Sequence, residues 1–362
     1  MSDLIKILDL GAFSDDEKNL LRTDFSYKKQ MSKLMKSARA EAKRETCYYC
    51  GKEVTSFCNS HSVPEFCLRN ISDNGEVLTL NTVVDNPLME SEAGVGKAGT
   101  FHLICNDCDS KIFSDYETPE NYSSIPTARM VSQMALKNCL KSISKRLFEI
   151  ELFNITAQKT EVAQTFSEAK NYANNLDMKE YESSYNKAKK ALEKKDTNAY
   201  YVCYYKKLNY VVPIAFQCSI ALVFDFEGNV INYIYNPSPD YKIRNIHINI
   251  FPLKAETAII MFVENGDKRY RQFYKQFLKL TEDEQLAALT FIMFAYSEDM
   301  YFSKTIKDEI LQSKSICEIG KSGQDILSFT PNFNPMETIR DLYDLNKRNS
   351  IPNLLSEKYK IK

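Results

Sequence analysis

The sequence predicts an α+β protein, in which a cysteine-rich module precedes a helical segment and an antiparallel sheet packed with helices. Residues 46–122 hold two Cys-x-x-Cys pairs among several turn-forming residues. Apolar residues recur at spacings near three and four between 127 and 152, and 167–195 contains neither Gly nor Pro, as expected of helices. From 200 to 264 the apolar runs are aromatic and β-branched, which is typical of strands.

The composition is that of a folded chain with several parts. The 362 residues are 44% hydrophobic and 26% charged, which favours two or three domains, and the net charge of -1 does not by itself indicate a partner. With 10 Gly and 11 Pro, a long low-complexity linker is not expected. The pattern changes predict a basic helical segment (1–45), a cysteine-rich module (46–125), a helical segment (126–198) and an α+β C-terminal domain (199–362).

The N-terminal segment is predicted to form two helices. Ser14 followed three residues later by Glu17 is typical of a capping box, and a second helix covers roughly 27–45. Positions 28–44 carry seven Lys or Arg against one acid, so this helix could lie along a phosphate backbone. A solvated helix face is the equal alternative. The candidate nucleic-acid contacts here are Lys36, Arg39, Lys43 and Arg44.

Two cysteine pairs predict a structural zinc site. Cys47 and Cys50 are three positions apart, and Gly51 favours the tight turn that two thiolates need to hold one ion. Cys105 and Cys108 repeat this spacing. Four thiolates would form a closed tetrahedral site, and two such pairs in one chain are a much stronger signal than one. The alternatives are buried free cysteines and, third, redox chemistry.

The cellular compartment bears on this interpretation. The first residues show no basic region followed by an apolar stretch, and no apolar run approaches the ~20 residues that cross a bilayer. We therefore expect a cytoplasmic protein without a membrane partner, where ten cysteines are not a disulfide framework. Cys58 and Cys67 could compete as ligands but rank below the pairs, and Cys203 and Cys218 are expected in the core.

The remaining elements follow from periodicity. Helices are predicted over 127–195, 267–280, 282–297 and 302–313, with a short one near 336–346. Strands are predicted over 200–205, 213–226, 230–235, 247–251 and 257–263, with 227–229 as a hairpin turn. No motif after residue 125 indicates a particular chemistry. This region is either a structural sheet backed by helices or a recognition module for a nucleic acid or a partner protein.

The residues between and after the cysteine pairs carry the motifs on which a family resemblance is based. After Cys50 comes a Ser-His-x-x-Pro motif at positions 60–64, and an apolar strand leads into Cys105. Cys108 is followed by Asp109 and then Lys111. This order resembles the zinc-bound ββα-metal core of HNH endonucleases. The resemblance covers about residues 46–120, roughly a fifth of the chain.

The resemblance implies roles for particular residues. The position of His61 is that of the family's general base, which removes a proton from the water that attacks the phosphodiester; a neutral imidazole suits this chemistry. Ser60 and Asp109 occupy the positions that hold a catalytic Mg²⁺ or Mn²⁺ ion. The family's central Asn has two candidates, Asn81 and Asn86.

The sequence departs from the family at the catalytic metal. The residue before the His is usually Asp, Glu or His, and the hydroxyl of Ser60 is a poor ligand for a hard cation without an ionised partner. Asp109 is an acceptable oxygen donor. Other carboxylates that could help it are Asp107, Asp115 and Glu117. The departure weakens the expectation of catalysis but leaves that of zinc binding intact.

Three further polar residues have plainer interpretations. His102 lies in the strand leading into Cys105, and a lone histidine on a strand face is expected to be structural. The same holds for His247. Lys111 is either a phosphate contact or a solvent-exposed side chain.

Two functions follow from these observations. The first is a metal-dependent HNH-type endonuclease that hydrolyses phosphodiester bonds, of DNA more than RNA, in phage defence or in a mobile element. The second is a catalytically degenerate, zinc-stabilised protein that binds nucleic acid or a protein. A weaker third is a toxin or anti-phage effector whose helical part holds a partner that restrains the nuclease.

Overall fold

The structure is a computed structural model that describes residues 15–85, 89–158, 161–236, 238, 240–322 and 335–361. Its helices are α1 (Asp15–Thr23), α2 (Phe25–Glu41), α3 (Glu65–Ile71), α4 (Asn81–Val84), α5 (Asn106–Ile112), α6 (Ala128–Ala157), α7 (Glu161–Lys194), α8 (Arg271–Phe277), α9 (Glu282–Tyr296), α10 (Asp308–Leu311), α11 (Lys314–Ser322) and α12 (Pro335–Thr338). Its strands are β1 (Ser60–His61), β2 (Glu76–Thr79), β3 (Glu92–Gly94), β4 (Thr100–Phe101), β5 (Tyr200–Leu208), β6 (Ile214–Ile220), β7 (Ile246–Pro252), β8 (Thr257–Glu264) and β9 (Met300–Phe302). Short 3₁₀ turns cover Pro119–Ser123, Leu345–Ser350 and Glu357–Tyr359.

The strands form two antiparallel sheets. β1 pairs with β4, and the larger sheet has the order β3-β2-β9-β6-β7-β8-β5. Every neighbouring pair in the larger sheet is antiparallel. The mixture of helices with antiparallel sheets confirms the predicted α+β class at this level.

The larger sheet is buried on both faces. Side chains alternate along β8, so Ile259 and Met261 belong to one core while Ile260 and Phe262 belong to the other. The first core contains the apolar residues of α9 and of the C-terminal helices. The second contains α6 and the cysteine-rich module. The sheet therefore supports the cysteine-rich module on the face opposite α9.

The insertion between β1 and β4 joins the module to this sheet. β2 lies within that insertion and pairs with β9, with Leu78 opposite Phe302. β3 extends the edge beyond β2. From the sequence this stretch is predicted to be turn-rich, because its strands are only three or four residues long and β2 pairs with a strand more than two hundred positions away.

Two predicted elements of the C-terminal region are wrong. Residues 230–235 form no strand beyond an isolated bridge between Phe224 and Val230. The buried amide of Asn232 instead donates to the carbonyl oxygens of Leu222 and Arg244, so side-chain hydrogen bonds replace a strand ladder. The stretch 302–313 begins as the end of β9 and becomes helical only at α10.

The N-terminal segment contains two helices, α1 and α2, as predicted. α2 packs Met31, Leu34 and Ala38 against Leu152 of α6. Ser14, the expected helix cap, lies outside the described residues. Within the described ranges, no helix combines the length and apolarity needed to span a bilayer.

His247 is buried in the second core, as a structural histidine is expected to be. Its Nδ1 lies 2.9 Å from Nδ2 of Asn138, and its ring stacks on Phe262 with centroids 4.4 Å apart. Burial lowers the pKa of His247 to about 3. The imidazole is therefore neutral in the folded chain across the physiological range.

We expect His247 to make stability fall with acidification. Below an unfolded pKa of about 6.5, the unfolded chain binds a proton that the folded chain does not, so this contribution is lost as the pH falls from about 6.5 toward 3. Between about pH 7 and pH 5, wild type should lose about 2 kcal/mol more unfolding free energy than His247→Gln. Urea denaturation at the two pH values measures this difference, and equal losses in both proteins would contradict it.

Candidate functional site

Four cysteine sulfurs converge beside α5. The Sγ atoms of Cys47, Cys50, Cys105 and Cys108 all lie within 4.8 Å of one another. A tetrahedral zinc site with Zn–S bonds of about 2.3 Å has sulfurs about 3.8 Å apart, so shifts of about 1 Å or less would complete it. The group could therefore bind a metal such as zinc.

Local backbone geometry brings each pair into place. The amide of Gly51 donates to the Cys47 carbonyl oxygen at 2.8 Å, and Gly51 has a φ of 71°, which favours glycine. Cys105 is the residue that precedes α5, and its amide lies 3.3 Å from Sγ of Cys47. Cys108 follows in the first turn of the same helix. A tight turn and a helix start thus present the four thiols to one point.

The four thiols are electrostatically coupled. Burial raises the pKa of the Cys108 thiol, and side-chain hydrogen bonds with Cys105 and Cys50, followed by the charge of Cys47, raise it further. A divalent cation has the opposite effect and favours the deprotonated form, since it binds thiolates. Metal binding here is expected to release protons and to weaken as the pH falls.

Helix α7 holds the first cysteine pair in place. The hydroxyl of Tyr185 donates to the carbonyl oxygen of Tyr48 at 3.2 Å, and the two rings pack edge to face. Lys189 donates from Nζ to the carbonyl oxygen of Tyr49 at 2.7 Å, with its ammonium 4.5 Å from the Tyr49 ring. The backbone between Cys47 and Cys50 is therefore fixed by a second, long helix.

The unpaired cysteines take other roles. Burial, followed by the Asp109 carboxylate, raises the pKa of the Cys58 thiol to about 11. Cys67 is buried on α3. Cys203 is part of the first core and Cys218 packs against it, as predicted. None of these four belongs to the sulfur group described above.

His61 lies on the short hairpin that precedes α5. The pairing of β1 with β4 places Ser60 opposite Phe101 and His61 opposite Thr100. Nε2 of His61 is 3.0 Å from the carbonyl oxygen of Val95. Because a carbonyl only accepts, Nε2 carries the proton and Nδ1 keeps its lone pair. The half-buried imidazole can therefore accept a proton at Nδ1.

Ser60 and Asp109 meet on the buried side of the hairpin. Successive residues of a strand point to opposite faces, so Ser60 is turned away from the His61 side. Its hydroxyl donates to Oδ1 of Asp109. The two positions that the resemblance assigns to a catalytic metal are thus brought together by the fold.

A buried lysine also reaches this point. Nζ of Lys137, on α6, lies 2.9 Å from Oδ1 of Asp109 and 3.0 Å from Oε1 of Glu117. It is 3.7 Å from the centroid of the Phe113 ring, and its side chain is fully buried. One ammonium therefore bridges two carboxylates. We call Ser60, Asp109, Glu117 and Lys137 the polar cluster.

Lys137 belongs to none of the sequence motifs, although its position in the sequence carries a signal. Lys137 comes seven residues after Met130, three after Met134 and three before Leu140. It therefore lies on the same buried side of α6 as these apolar residues. A lysine on a stripe that faces the core needs a buried acidic partner. The acidic residues that follow Cys108 include both partners, Asp109 and Glu117.

The two carboxyl groups respond to this lysine differently. Burial raises the pKa of Asp109, but the Lys137 ammonium and the Ser60 hydroxyl outweigh it and hold the pKa below its usual value. Burial raises the pKa of Glu117, Lys137 offsets part of that, and the charge of Asp109 adds to the rise. Lys137 thus keeps Asp109 ionised and compensates its charge.

The other predicted acidic and amide residues are placed elsewhere. Asp107 is exposed on α5, and Asp115 accepts from Arg129 and from the amide of Gln133. The amide of Asn81 donates to the carbonyl oxygen of Met89 at 2.7 Å. Asn86 lies outside the described residues. Among the described residues, only the four cysteines bring three or more His, Cys, Asp or Glu groups together closely enough to hold a metal.

His102 and Lys111 both lie at the surface of the module, and the exposure of Lys111 fits both of its interpretations. His102 is exposed, with Nε2 2.6 Å from Oδ1 of Asn59. Lys111 is exposed in the last turn of α5. Neither side chain belongs to the polar cluster.

The basic segment lies next to the cysteine site. The guanidinium of Arg44 lies 5.1 Å from the ring centroid of Tyr48, between the first two cysteines. The four predicted nucleic-acid contacts of this segment are all exposed: Lys36, Arg39, Lys43 and Arg44.

No family model, curated protein or solved structure matches this chain. The likeness to HNH endonucleases therefore stays a prediction from the residues of 46–120. The arrangement of its side chains is the only other support.

Proposed function

We propose that this chain is an HNH-type endonuclease that hydrolyses phosphodiester bonds of nucleic acid, DNA more than RNA. The observation that carries the proposal is the orientation of His61 on a hairpin that leads into a helix bearing two of the four clustered cysteines. The cysteine group holds zinc as a structural ion. Phage defence or a mobile element is the setting that we propose for this activity.

The chemistry follows from the tautomer of His61. With Nε2–H donating to Val95, the Nδ1 lone pair takes a proton from a water molecule as that water attacks phosphorus. The P–O bond to the leaving oxygen breaks, and that oxygen takes a proton from solvent. Exposed cations near the module, such as Lys111 and Arg44, hold the phosphate backbone by charge. Zinc on the cysteines supports the hairpin and takes no part in the proton transfer.

A catalytic Mg²⁺ or Mn²⁺ does not fit the polar cluster as it stands. A hard divalent ion needs several oxygen ligands with uncompensated negative charge. Ser60 offers only a hydroxyl, and the charge of Asp109 is already compensated by Lys137. We therefore derive no step of the reaction through such an ion.

That disagreement favours a second candidate. If Lys137 permanently replaces the metal, the module is a catalytically degenerate, zinc-stabilised domain that binds nucleic acid or a protein. It predicts salt-dependent binding without cleavage under any metal. The C-terminal sheet and its helices would then serve recognition.

Replacement of His61 tests the nuclease. We expect zinc-loaded wild type to nick or cut DNA, and His61→Ala to lower the rate by about 100-fold or more, as loss of a general base does. Cleavage of supercoiled plasmid, with and without added Mg²⁺ or Mn²⁺, measures the rate.

His102→Ala is the matched control for this experiment. His102 lies in the same module, one residue beyond β4, and contacts Asn59 rather than the polar cluster. It should keep full activity. Undiminished cleavage by a folded His61→Ala protein would remove His61 from the mechanism, and absence of cleavage by wild type would favour the binding function.

A further inference from the structure

The outward face of α2 carries a row of polar residues that includes two lysines. Lys29, Ser32 and Lys36 follow one another at spacings of three and four, so their side chains share one side of the helix. Lys33 lies next to that row. From Lys29 to Lys36 the helix rises about 10 Å.

The opposite face of α2 fixes its orientation. Met31, Leu34 and Ala38 are buried against Leu152 of α6. The apolar side of this amphipathic helix is therefore already used in packing. The cationic side must face outward, and it cannot turn inward without exposing the packed residues.

These cations are available to a ligand. Lys29, Lys33 and Lys36 are exposed, and none of them forms an ion pair within the part of the chain that the structure describes. The acids that flank these lysines are Asp24, five residues before Lys29, and Glu41, five residues after Lys36. Because the whole chain carries a net charge of only -1, this density of positive charge is local.

An exposed aromatic ring stands at one end of the row. Phe25 is 82% exposed, the largest exposure among the large apolar residues described. It lies four residues before Lys29, on the same side of the helix. The ring and the cations together line a shallow hollow of about 640 Å³, formed by Phe25, Lys28, Lys29, Ser32, Lys33 and Lys36.

We propose that this face binds single-stranded nucleic acid, with Phe25 stacked on a base and the lysines on successive phosphates. A single strand offers unstacked bases to an exposed ring, whereas a duplex keeps its bases paired and hidden. A membrane surface fits less well, because Met31, Leu34 and Ala38 are packed against α6, and Phe25 is the one large apolar side chain of α2 that is exposed among those described. The inference depends on the proposed function only because both name nucleic acid as the partner. It does not require that the chain cleaves the nucleic acid.

Fluorescence anisotropy with a labelled oligothymidylate of about 20 nucleotides tests this face. The full zinc-loaded chain carries His61→Ala, so that cleavage cannot obscure binding. Phe25→Ala should weaken binding roughly fivefold or more, as loss of one base stack does. The triple change Lys29→Ala, Lys33→Ala and Lys36→Ala should lower the slope of log affinity against log salt by about 2.

Helix α8 supplies a matched control. Leu278, just after α8, is 51% exposed and lies among three exposed cations. Leu278→Ala, and separately the triple change Arg271→Ala, Lys275→Ala and Lys279→Ala, should leave the affinity and the salt slope nearly unchanged.

Several outcomes would overturn the inference. They are failure of the parent chain to bind the oligonucleotide, equal effects of Phe25→Ala and Leu278→Ala, and binding to anionic phosphatidylserine vesicles but not to the oligonucleotide. Binding by the parent chain, together with no cleavage by wild type, would contradict the nuclease proposal alone. Cleavage by wild type combined with no effect of the α2 changes would sink this inference alone.

Discussion

Cys105→Ser is expected to release the zinc ion and to unfold the cysteine-rich module. Zinc bound by four thiolates contributes about 10–16 kcal/mol to the folding of small zinc domains, which equals or exceeds the ~5–15 kcal/mol stability of a whole domain. A serine hydroxyl at this position cannot replace the thiolate, and Cys105 also starts α5 and contacts Cys47. Losing this ligand therefore removes both a bond to the metal and the anchor of the helix.

Metal analysis, thermal unfolding and limited proteolysis together measure this effect. We expect one zinc per wild-type chain, little zinc in Cys105→Ser, and new proteolytic cleavage within residues 46–113 of the variant. A chelator added to wild type should reproduce the variant.

Cys58→Ser is the matched control for the zinc prediction. Cys58 lies in the same module and is also half-buried, but its sulfur is outside the group of four. It should retain zinc and thermal stability. A Cys105→Ser protein that keeps a full complement of zinc and its wild-type unfolding temperature would show that the four sulfurs do not hold one ion.

The sequence alone predicts those features that depend on local spacing. The two cysteine pairs, the long helices and the four long strands all come from patterns that repeat within a few residues, and the structure contains them. Gly51 is an example, because the need for a positive φ can be inferred from the Cys-x-x-Cys turn. Such features require no knowledge of what lies across the fold.

Features that depend on distant contacts are not predictable in this way. Phe302, the last residue of β9, is predicted to start a helix over 302–313, but Met300 to Phe302 form a strand because they pair with β2 and β6. The partner of His61, Val95, lies in the insertion, and its carbonyl oxygen carries no sequence signal. Lys137 meets Asp109 only because α6 packs on the cysteine-rich module.

Lys137→Met is expected to destabilise the fold strongly, by about 3–5 kcal/mol, as loss of one partner from a buried ion pair does. The change keeps the length of the side chain but leaves Asp109 and Glu117 close together without the ammonium. Their repulsion and burial then oppose folding. Urea denaturation at neutral pH measures the loss.

Two further variants define the origin of that loss. Lys141 lies one turn further along α6 and pairs with Asp299 at 2.8 Å, but both side chains are partly exposed. Lys141→Met should therefore cost much less. Adding Glu117→Gln to Lys137→Met should recover part of the stability, because one buried charge is removed; no recovery would show that the loss comes from packing alone.

A different substitution of Lys137 decides what the polar cluster can hold. Lys137→Ala shortens the side chain, so it leaves both space and uncompensated carboxylate charge beside Ser60. If the site retains the geometry of a metal-dependent nuclease, Mn²⁺ should raise the unfolding temperature of Lys137→Ala and leave that of wild type unchanged, because ligands that bind only the folded state stabilise it. If Mn²⁺ has no effect on either protein, the cluster is a structural ion network, and the proposed cleavage would depend on His61 without a metal at this position.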